Sequence, residues 1–495
     1  MAVPLHDAQT SRVHRLRAPV CGAGRAWEIA ILAAAALLVA WQLFVPPVLS
    51  VANNADFQKL AGPVCIGPEP GAGYILFEYA TVHWFVSKEG CIDWPLRTSA
   101  ELVLHAALGL DRLFGLFPAF DSRWMGALYT LLFLVNCAWA QRLLRFARPW
   151  TSRVLQTAFV LVICNAVYIP MFNTFFFDPM ALVMIVGALA GVGAMLLQDE
   201  VKGKTLLATS LALALFAASK GQHSLLAIAC LPVFWVTRGR KVYPPVWARL
   251  AGSLAVITGA AVALGTVPLY QVGQATYNAL FFRILPSVPN PADYLAETRI
   301  PTSYLSAIGT HSYLPESPNG TAEQEIAFAR MFGVKDLALL YLRHPDRAWY
   351  MMKIDLDEAS IDRVRMKIGE REYRLGNYER SIGKPPQSVS HFFGLWPALK
   401  HRLISGHPQT YLVYILAVIA AAWLLAPRWP GMRWFLGIFT AMLMVSFAVV
   451  MTDGVDGGRH LQMFNYLLDL LVCGVAAFIA ERMAELTRNL PVADL

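Results

Sequence analysis

Carboxylates, cations and one pair of histidines recur beside long apolar runs, where ionisable side chains are otherwise scarce. Asp56 follows the first run in VANNADFQKL, and Asp178 opens another in FNTFFFDPM. Lys220, Gln222 and His223 form the break ASKGQHS between two more. Asp453, Asp456, Arg459 and His460 share TDGVDGGRHLQMFN. Arginine and lysine give charge-assisted donors to a phosphate. A carboxylate within reach takes the proton from an attacking hydroxyl, and the cations stabilise the phosphate as its charge develops. That combination suits transfer of a group from a lipid-linked phosphate to an alcohol. Asp453, Asp456 and His460 also offer ligands of the kind that Mg2+ or Mn2+ accepts, although the D-x-x-D-x-x-R-H spacing is weak evidence for a metal.

Each residue has a plainer role as well. Asp56 is acceptable as a solvated loop residue. Asp178 precedes Pro179, and Asp-Pro opens helices as a cap followed by proline in the first turn. Lys220 could snorkel to lipid headgroups. Arg459 and His460 could pair structurally with Asp453 or Asp456. Their common position at one kind of boundary makes a joint site the stronger reading.

That boundary is set by the elements around it. Hydrophobic residues make up 57% of the 495-residue chain and charged residues 15%, against about 25% charged in soluble proteins. A soluble surface of this size could not be covered, so the composition implies an all-α polytopic membrane protein. A bilayer core of about 30 Å needs roughly 20 apolar helical residues. Ten runs qualify or nearly so: 27–49, 124–144, 154–169, 178–197, 205–219, 223–237, 246–269, 411–425, 434–451 and 461–479. The resulting order is a tail over 1–26, the first span at 27–49 and a first outer segment over 50–123. Spans two to seven fall within 124–269, a large outer segment over 270–410, spans eight to ten within 411–480 and a tail over 481–495.

Basic residues give the orientation. Arg12, Arg15, Arg17 and Arg25 precede the first span, and Arg142, Arg145, Arg148 and Arg153 lie around the turn after the second. Arg238, Arg240, Lys241 and Arg249 follow the sixth, Arg428 and Arg433 the eighth, and Arg482 and Arg488 the tenth. All fall on one side if both termini are cytoplasmic, so the net charge of +8 reads as a topology signal. Merging 205–219 with 223–237 would leave Lys220 near the bilayer centre at a cost of several kcal/mol; two short helices fit better. The first run is longer than the apolar core of a signal peptide and reads as a retained helix. On this topology Asp56, Asp178, Lys220 and the 453–460 cluster all sit at outer ends.

Within the first outer segment, Ser99–Leu116 places Leu102, Leu104, Ala107, Leu108, Leu113, Phe114 and Leu116 largely on one helical face, which suits an interfacial helix. Cys65 and Cys91 are the two cysteines of the outer segments, and an oxidising compartment permits a disulfide between them. In the second outer segment, 323–342 has helix-forming composition and 351–378 is charge-dense, as expected of a solvated or interfacial face. Asn319-Gly320-Thr321 matches a glycosylation acceptor, which is accidental in a bacterial protein.

Several stretches together resemble the GT-C superfamily of membrane glycosyltransferases, and more narrowly the bacterial glycan-biosynthesis hexose transferases of S-layer type. They are NADFQKL, YIPMFNTFFFDPMAL, ASKGQH, ATYNALFFRIL with PSVPNPADYL, RLGNYE and GRHLQMFNYLLDLL, in order along most of the chain. The resemblance implies an inverting transferase of the bacterial cytoplasmic membrane, acting on its outer face with a polyprenyl-phosphate sugar as donor and a glycan or glycolipid as acceptor. It makes Asp56 the general base. It offers Lys220, Gln222, His223, Arg459 and His460 for the donor phosphate or the acceptor, with Asp178, Asp453 and Asp456 in support. Asp178 stands where similar motifs carry Glu. A transporter or flippase of lipid-linked glycan is the alternative from another class; it expects inverted repeats and polar residues near the bilayer midplane, whereas 206–215 and 255–264 are nearly free of charge.

Overall fold

The computed structural model describes residues 22–46, 48–53, 55–69, 80–88, 91–115, 119–146, 148–236, 243–360, 365–368, 371–377, 393–404, 407–455 and 457–489. Each of the ten apolar runs is helical. Six helices are long and apolar enough to cross a membrane: Gly24–Phe44, Asp178–Leu197, Val246–Gly265, Pro408–Leu425, Pro430–Val450 and Gln462–Thr487. The other four runs form Arg123–Leu143, Pro149–Ile163, Gly203–Ala217 and Gly221–Ile228, the last prolonged by a 3-10 turn over Leu231–Phe234. Large apolar side chains such as Leu37, Leu131, Leu207, Trp247 and Leu424 point out of the bundle and are exposed, as a lipid-facing surface requires.

Asp178–Leu197 is the central post. It is apolar all round, the pattern of a helix buried on every side, and almost all of it is buried. A Cβ on its Gly187 would lie 1.8 Å from the Asn136 side chain, and one on Gly191 would lie 2.1 Å from Thr209 Oγ1. These small residues let Arg123–Leu143 and Gly203–Ala217 close against the post, as interhelical contacts in membranes favour.

Polar contacts mark the two ends of the bundle. At one end Arg145 pairs with Glu28 at 2.6 Å and Arg148 with Glu481 at 2.9 Å. Arg482 there donates to the carbonyl of Leu425 at 3.1 Å. The beginning of the first long helix and the end of the last are thus held by one basic connector, on the same side. At the opposite end, Thr98 Oγ1 donates to the Ser219 carbonyl and Ser99 Oγ to that of Leu215, both at 2.7 Å. The Asn173 amide there donates to the carbonyls of Leu43 and Leu49.

The segments read as outer loops carry structure that the sequence did not announce. Two small antiparallel sheets interrupt the helical fold: β1 (Leu49–Val51) pairs with β6 (Arg371–Asn377), which pairs with β5 (Arg365–Ile368), and β2 (Ile66–Gly67) pairs with β3 (His83–Val86), which pairs with β4 (Phe120–Asp121). The charge-dense 351–378 stretch therefore divides into the end of helix Pro345–Ser360 and a hairpin laid on the chain leaving the first span. The 323–342 stretch is two helices, Ala322–Met331 and Val334–Arg343. Thr321 caps the first through a reciprocal box with Gln324, and Asn319 is fully buried, so the Asn-Gly-Thr triplet serves as a helix start. Helix Ala100–Phe114 buries Val103, Leu104 and Ala107 and exposes Leu102, Leu113 and Phe114. Its apolar residues thus occupy two faces, one packed on protein and one left outward, where a single face was expected.

Candidate functional site

The site begins with a strained turn. Asn53 is buried, and its side-chain oxygen accepts from the backbone N–H groups of Ala55 and Phe57 at 2.9 and 3.3 Å. Ala55 is held at φ 80°, a left-handed conformation that costs a residue with a Cβ roughly 1–2 kcal/mol. The turn delivers Asp56 to the start of the short helix Phe57–Ala61. Phe57 anchors that helix among Trp84, Phe175 and Phe176, with ring centroids 5.7, 5.6 and 4.7 Å away. Phe175 and Phe176 come from the stretch that opens the central post two residues later at Asp178. One aromatic cluster therefore ties the 50–123 segment to the bundle.

Both oxygens of Asp56 carry a cation. Lys59 Nζ lies 2.6 Å from Oδ1, and the Arg459 guanidinium pairs with Oδ2. Burial pushes this carboxyl up, but Arg459 and then Lys59 outweigh it and hold Asp56 far below the usual carboxylate range. Arg459 is itself buried, with its guanidinium 4.8 Å from the centre of the Phe176 ring. Its Nη2 lies 3.2 Å from His460 Nε2, and His460 Nδ1 lies 3.2 Å from Asp453 Oδ2. Arginine can only donate, so His460 accepts at Nε2 and presents its Nδ1–H to Asp453. Burial, together with the Lys220 and Arg459 cations, keeps that imidazole neutral. Burial raises Asp453 to about 6, against the pull of the Val455 N–H and of Arg459.

A second pair completes the cluster. Lys220, at the start of helix Gly221–Ile228, places Nζ 3.3 Å from Asp178 Oδ1. The Gln222 side-chain amide lies 3.4 Å from His460 Nδ1, so the two halves touch there. Four stretches far apart in sequence thus bring Asp56, Asp178, Lys220, Gln222, Asp453, Arg459 and His460 to one end of the bundle. His223 is the exception: it is buried, with Nδ1 2.9 Å from Ser219 Oγ and its ring stacked on Phe216, and so it faces the bundle interior. Asp456 lies outside the described residues. Among the described residues no three His, Cys, Asp or Glu side chains gather as a metal site. Asp56, Asp178 and Asp453 each already face a cation or an imidazole, so no step below is routed through a metal.

The sequence reading omitted three contributors. Lys59 is one turn beyond Asp56, a spacing that brings side chains together on a helix, and this signal was present. Phe176 floors Arg459. Arg283 emerges from a π-helix over Asn278–Ile284, a form that is frequent at functional sites. Its Nε donates to the Gly454 carbonyl at 2.6 Å and its Nη2 to Glu358 at 2.5 Å, while Tyr341 Oη donates to the Met451 carbonyl at 2.8 Å. The 270–410 segment in this way grips the turn that carries Asp453. Cys65 and Cys91 are joined by a disulfide.

These features define a multi-pass helical membrane protein with a self-paired cluster of acids and cations at one end of its bundle. The chain belongs to the family described as the YfdI N-terminal transmembrane domain, which matches residues 22–491. No curated protein sequence matches it. Two solved structures are similar in overall course, both of an oligosaccharyltransferase from Archaeoglobus fulgidus. The archaeal enzyme AglB, in complex with an inhibitory peptide and a dolichol-phosphate, aligns with a TM-score of 0.42 and 9% identity over 94% of this chain. The apo form aligns with a TM-score of 0.40 and 11% identity over 93%. The chain spans about half the length of these proteins, 51% in each case, and no residue role is taken from them.

Proposed function

We propose that the protein is a GT-C-type glycosyltransferase that moves a hexose or pentose from a polyprenyl-phosphate donor to a glycan or glycolipid of the cell envelope. It would work on the outer face of the bacterial cytoplasmic membrane, with ten crossings and both termini inside. The observation that carries this reading is the convergence of Asp56, Lys59, Lys220 and Arg459 at one bundle end, where a base and phosphate-binding cations stand within one cluster. The resemblance of the sequence motifs to GT-C transferases supports the same reaction.

In that reaction the acceptor hydroxyl attacks the anomeric carbon of the donor sugar. The bond from that carbon to the phosphate oxygen breaks, and its electron pair leaves with the phosphate. Asp56 takes the proton of the hydroxyl, and Lys59, Lys220 and Arg459 hold the phosphate as its charge grows. The same cations pair with Asp56 and Asp178. A donor phosphate that draws Lys59 and Arg459 toward itself restores the basicity of Asp56, so the base becomes competent when the donor is bound. His460 and Gln222 orient Arg459, and Asp453 holds His460.

The experiment is transfer of labelled sugar from polyprenyl-phosphate to membrane lipid and glycan fractions. Asp56→Asn should lower turnover by about 10²–10⁴-fold, the usual contribution of a general base, while the variant still binds donor. Turnover equal to wild type sinks the assignment. Movement of lipid-linked sugar across proteoliposomes without transfer would favour the flippase reading instead.

A further inference from the structure

A cavity of ≈ 620 Å³ opens between the short helix after Asp56 and helix Ala100–Phe114. Its volume lies within the roughly 300–1,000 Å³ of small-ligand sites. Leu60, Ile92 and Leu104 form its apolar part, and Asp93, Arg97, Glu101 and His105 its polar part. Glu101 is partly engaged, accepting from the Thr98 N–H at 3.1 Å. Among the described residues the side chains of Asp93, Arg97 and His105 have no hydrogen-bonding or ionic partner.

The walls are fixed at both ends to the candidate catalytic groups. Leu60 stands four residues beyond Asp56, about 6 Å along a helix axis. On the other side Thr98 Oγ1 is bonded to the carbonyl of Ser219, the residue before Lys220, and the Arg97 N–H donates to Thr266 Oγ1 at 3.0 Å. The Cys65–Cys91 disulfide closes the third side, with Cys91 in the lining. A ligand held here therefore rests on the elements that carry Asp56 and Lys220.

The charges name the ligand. Two carboxylates, Asp93 and Glu101, face one guanidinium, Arg97, a balance that disfavours a phosphate. A sugar hydroxyl both donates and accepts; Asp93 and Glu101 accept such protons, Arg97 donates, and His105 does either. Leu60, Ile92 and Leu104 give the apolar surface on which a sugar ring can rest. Leu102, Leu113 and Phe114, exposed on the same helix, suit a position at the lipid boundary. We propose that this cavity is the acceptor subsite and that it takes an uncharged sugar unit of the acceptor glycan. The proposal rests on the transferase reading above and adds to it the chemical class of the acceptor.

The test uses the full-length protein, fluorescently tagged in detergent, on an array of neutral and acidic oligosaccharides. The wild type should bind neutral members, and Asp93→Ala/Arg97→Ala should weaken that binding at least tenfold. Both residues are exposed, so the double variant should fold. As a check on folding, it should bind polyprenyl phosphate with wild-type affinity, and so should Arg97→Gln alone. Failure to bind any neutral glycan, binding confined to acidic glycans, or equal binding by wild type and double variant each overturns the proposal. Asp56→Asn separates the two readings. If it binds neutral glycan and transfers sugar like the wild type, the assignment of Asp56 as base falls while the subsite stands.

Discussion

Asp56 and Arg459 are paired as carboxylate and guanidinium, and a phosphate bound here must compete with that pair. Arg459 reaches Asp56 and His460 through the same guanidinium nitrogen, Nη2, which a lysine ammonium cannot reproduce while also stacking on Phe176. Loss of a charge-assisted hydrogen bond costs about 1.5–3 kcal/mol. Arg459→Lys should therefore lower turnover roughly 10–100-fold with folded protein retained, measured by sugar transfer at saturating donor. Asp453 gives a second, pH-dependent expectation. A carboxyl raised by burial to about 6 is neutral below that pH and anionic above it. The donor is a phosphodiester whose single negative charge is constant over this range, so it meets one anion fewer below pH 6. Donor affinity should tighten as pH falls from 8 to 5, with the change centred near 6, and Asp453→Asn should remove that dependence. A titration of donor binding that is flat in the wild type would exclude Asp453 as the responsible group.

Elements rather than single residues hold this cluster, and the tightest hold is at Gly454. A Cβ there would lie 2.3 Å from the carbonyl oxygen and 2.4 Å from the carbonyl carbon of Asn278, both backbone atoms of the π-helix. Gly454→Ala must separate the turn from that helix and disturb the Arg283 bond to the Gly454 carbonyl. Overpacking of this kind costs about 1–3 kcal/mol, and because Asp453 moves with the turn, turnover should fall while the membrane helices stay intact, read together by transfer assay and thermal unfolding. None of this was legible beforehand. The π-helix is encoded by a stretch, ATYNALFFRIL, that looks like an ordinary apolar helix, and its partner turn lies more than 170 residues away. The strand pairing of Leu49–Val51 with Arg371–Asn377 was hidden for the same reason: short polar strands have no local periodicity strong enough to read. What could be read was read from cost. Apolar runs must be helices because lipid leaves backbone groups no other partner. An Asp or Lys at the end of such a run stands out because burial there is expensive, which is why Asp56, Asp178, Lys220 and Arg459 were found. Lys59 escaped because a lysine in a loop reads as solvated.

At the scale of the whole molecule, the two ends of the bundle differ in what their charges do. One end uses arginines to tie helices together, Arg145 to Glu28 and Arg148 to Glu481. The other gathers Asp56, Lys59, Asp178, Lys220, Asp453 and Arg459 around a single place. Because Glu28 begins the first long helix and Glu481 lies late in the last, an even number of crossings separates them. If the excess of arginine marks that end as cytoplasmic, the usual bias of membrane proteins, the cluster faces outward. Cysteine labelling in a Cys21→Ser background tests this directly, because Cys137, Cys164, Cys230 and Cys473 are buried and Cys65 and Cys91 are bonded. Glu323 is exposed in the large outer segment, and Lys204 is exposed at the start of Gly203–Ala217, at the opposite end from Lys220. In spheroplasts a membrane-impermeant maleimide should label Glu323→Cys at once and Lys204→Cys only after permeabilisation. The reverse pattern would place the cluster in the cytoplasm, where a nucleotide-linked donor could reach it, and would remove the reason for assigning a lipid-linked one.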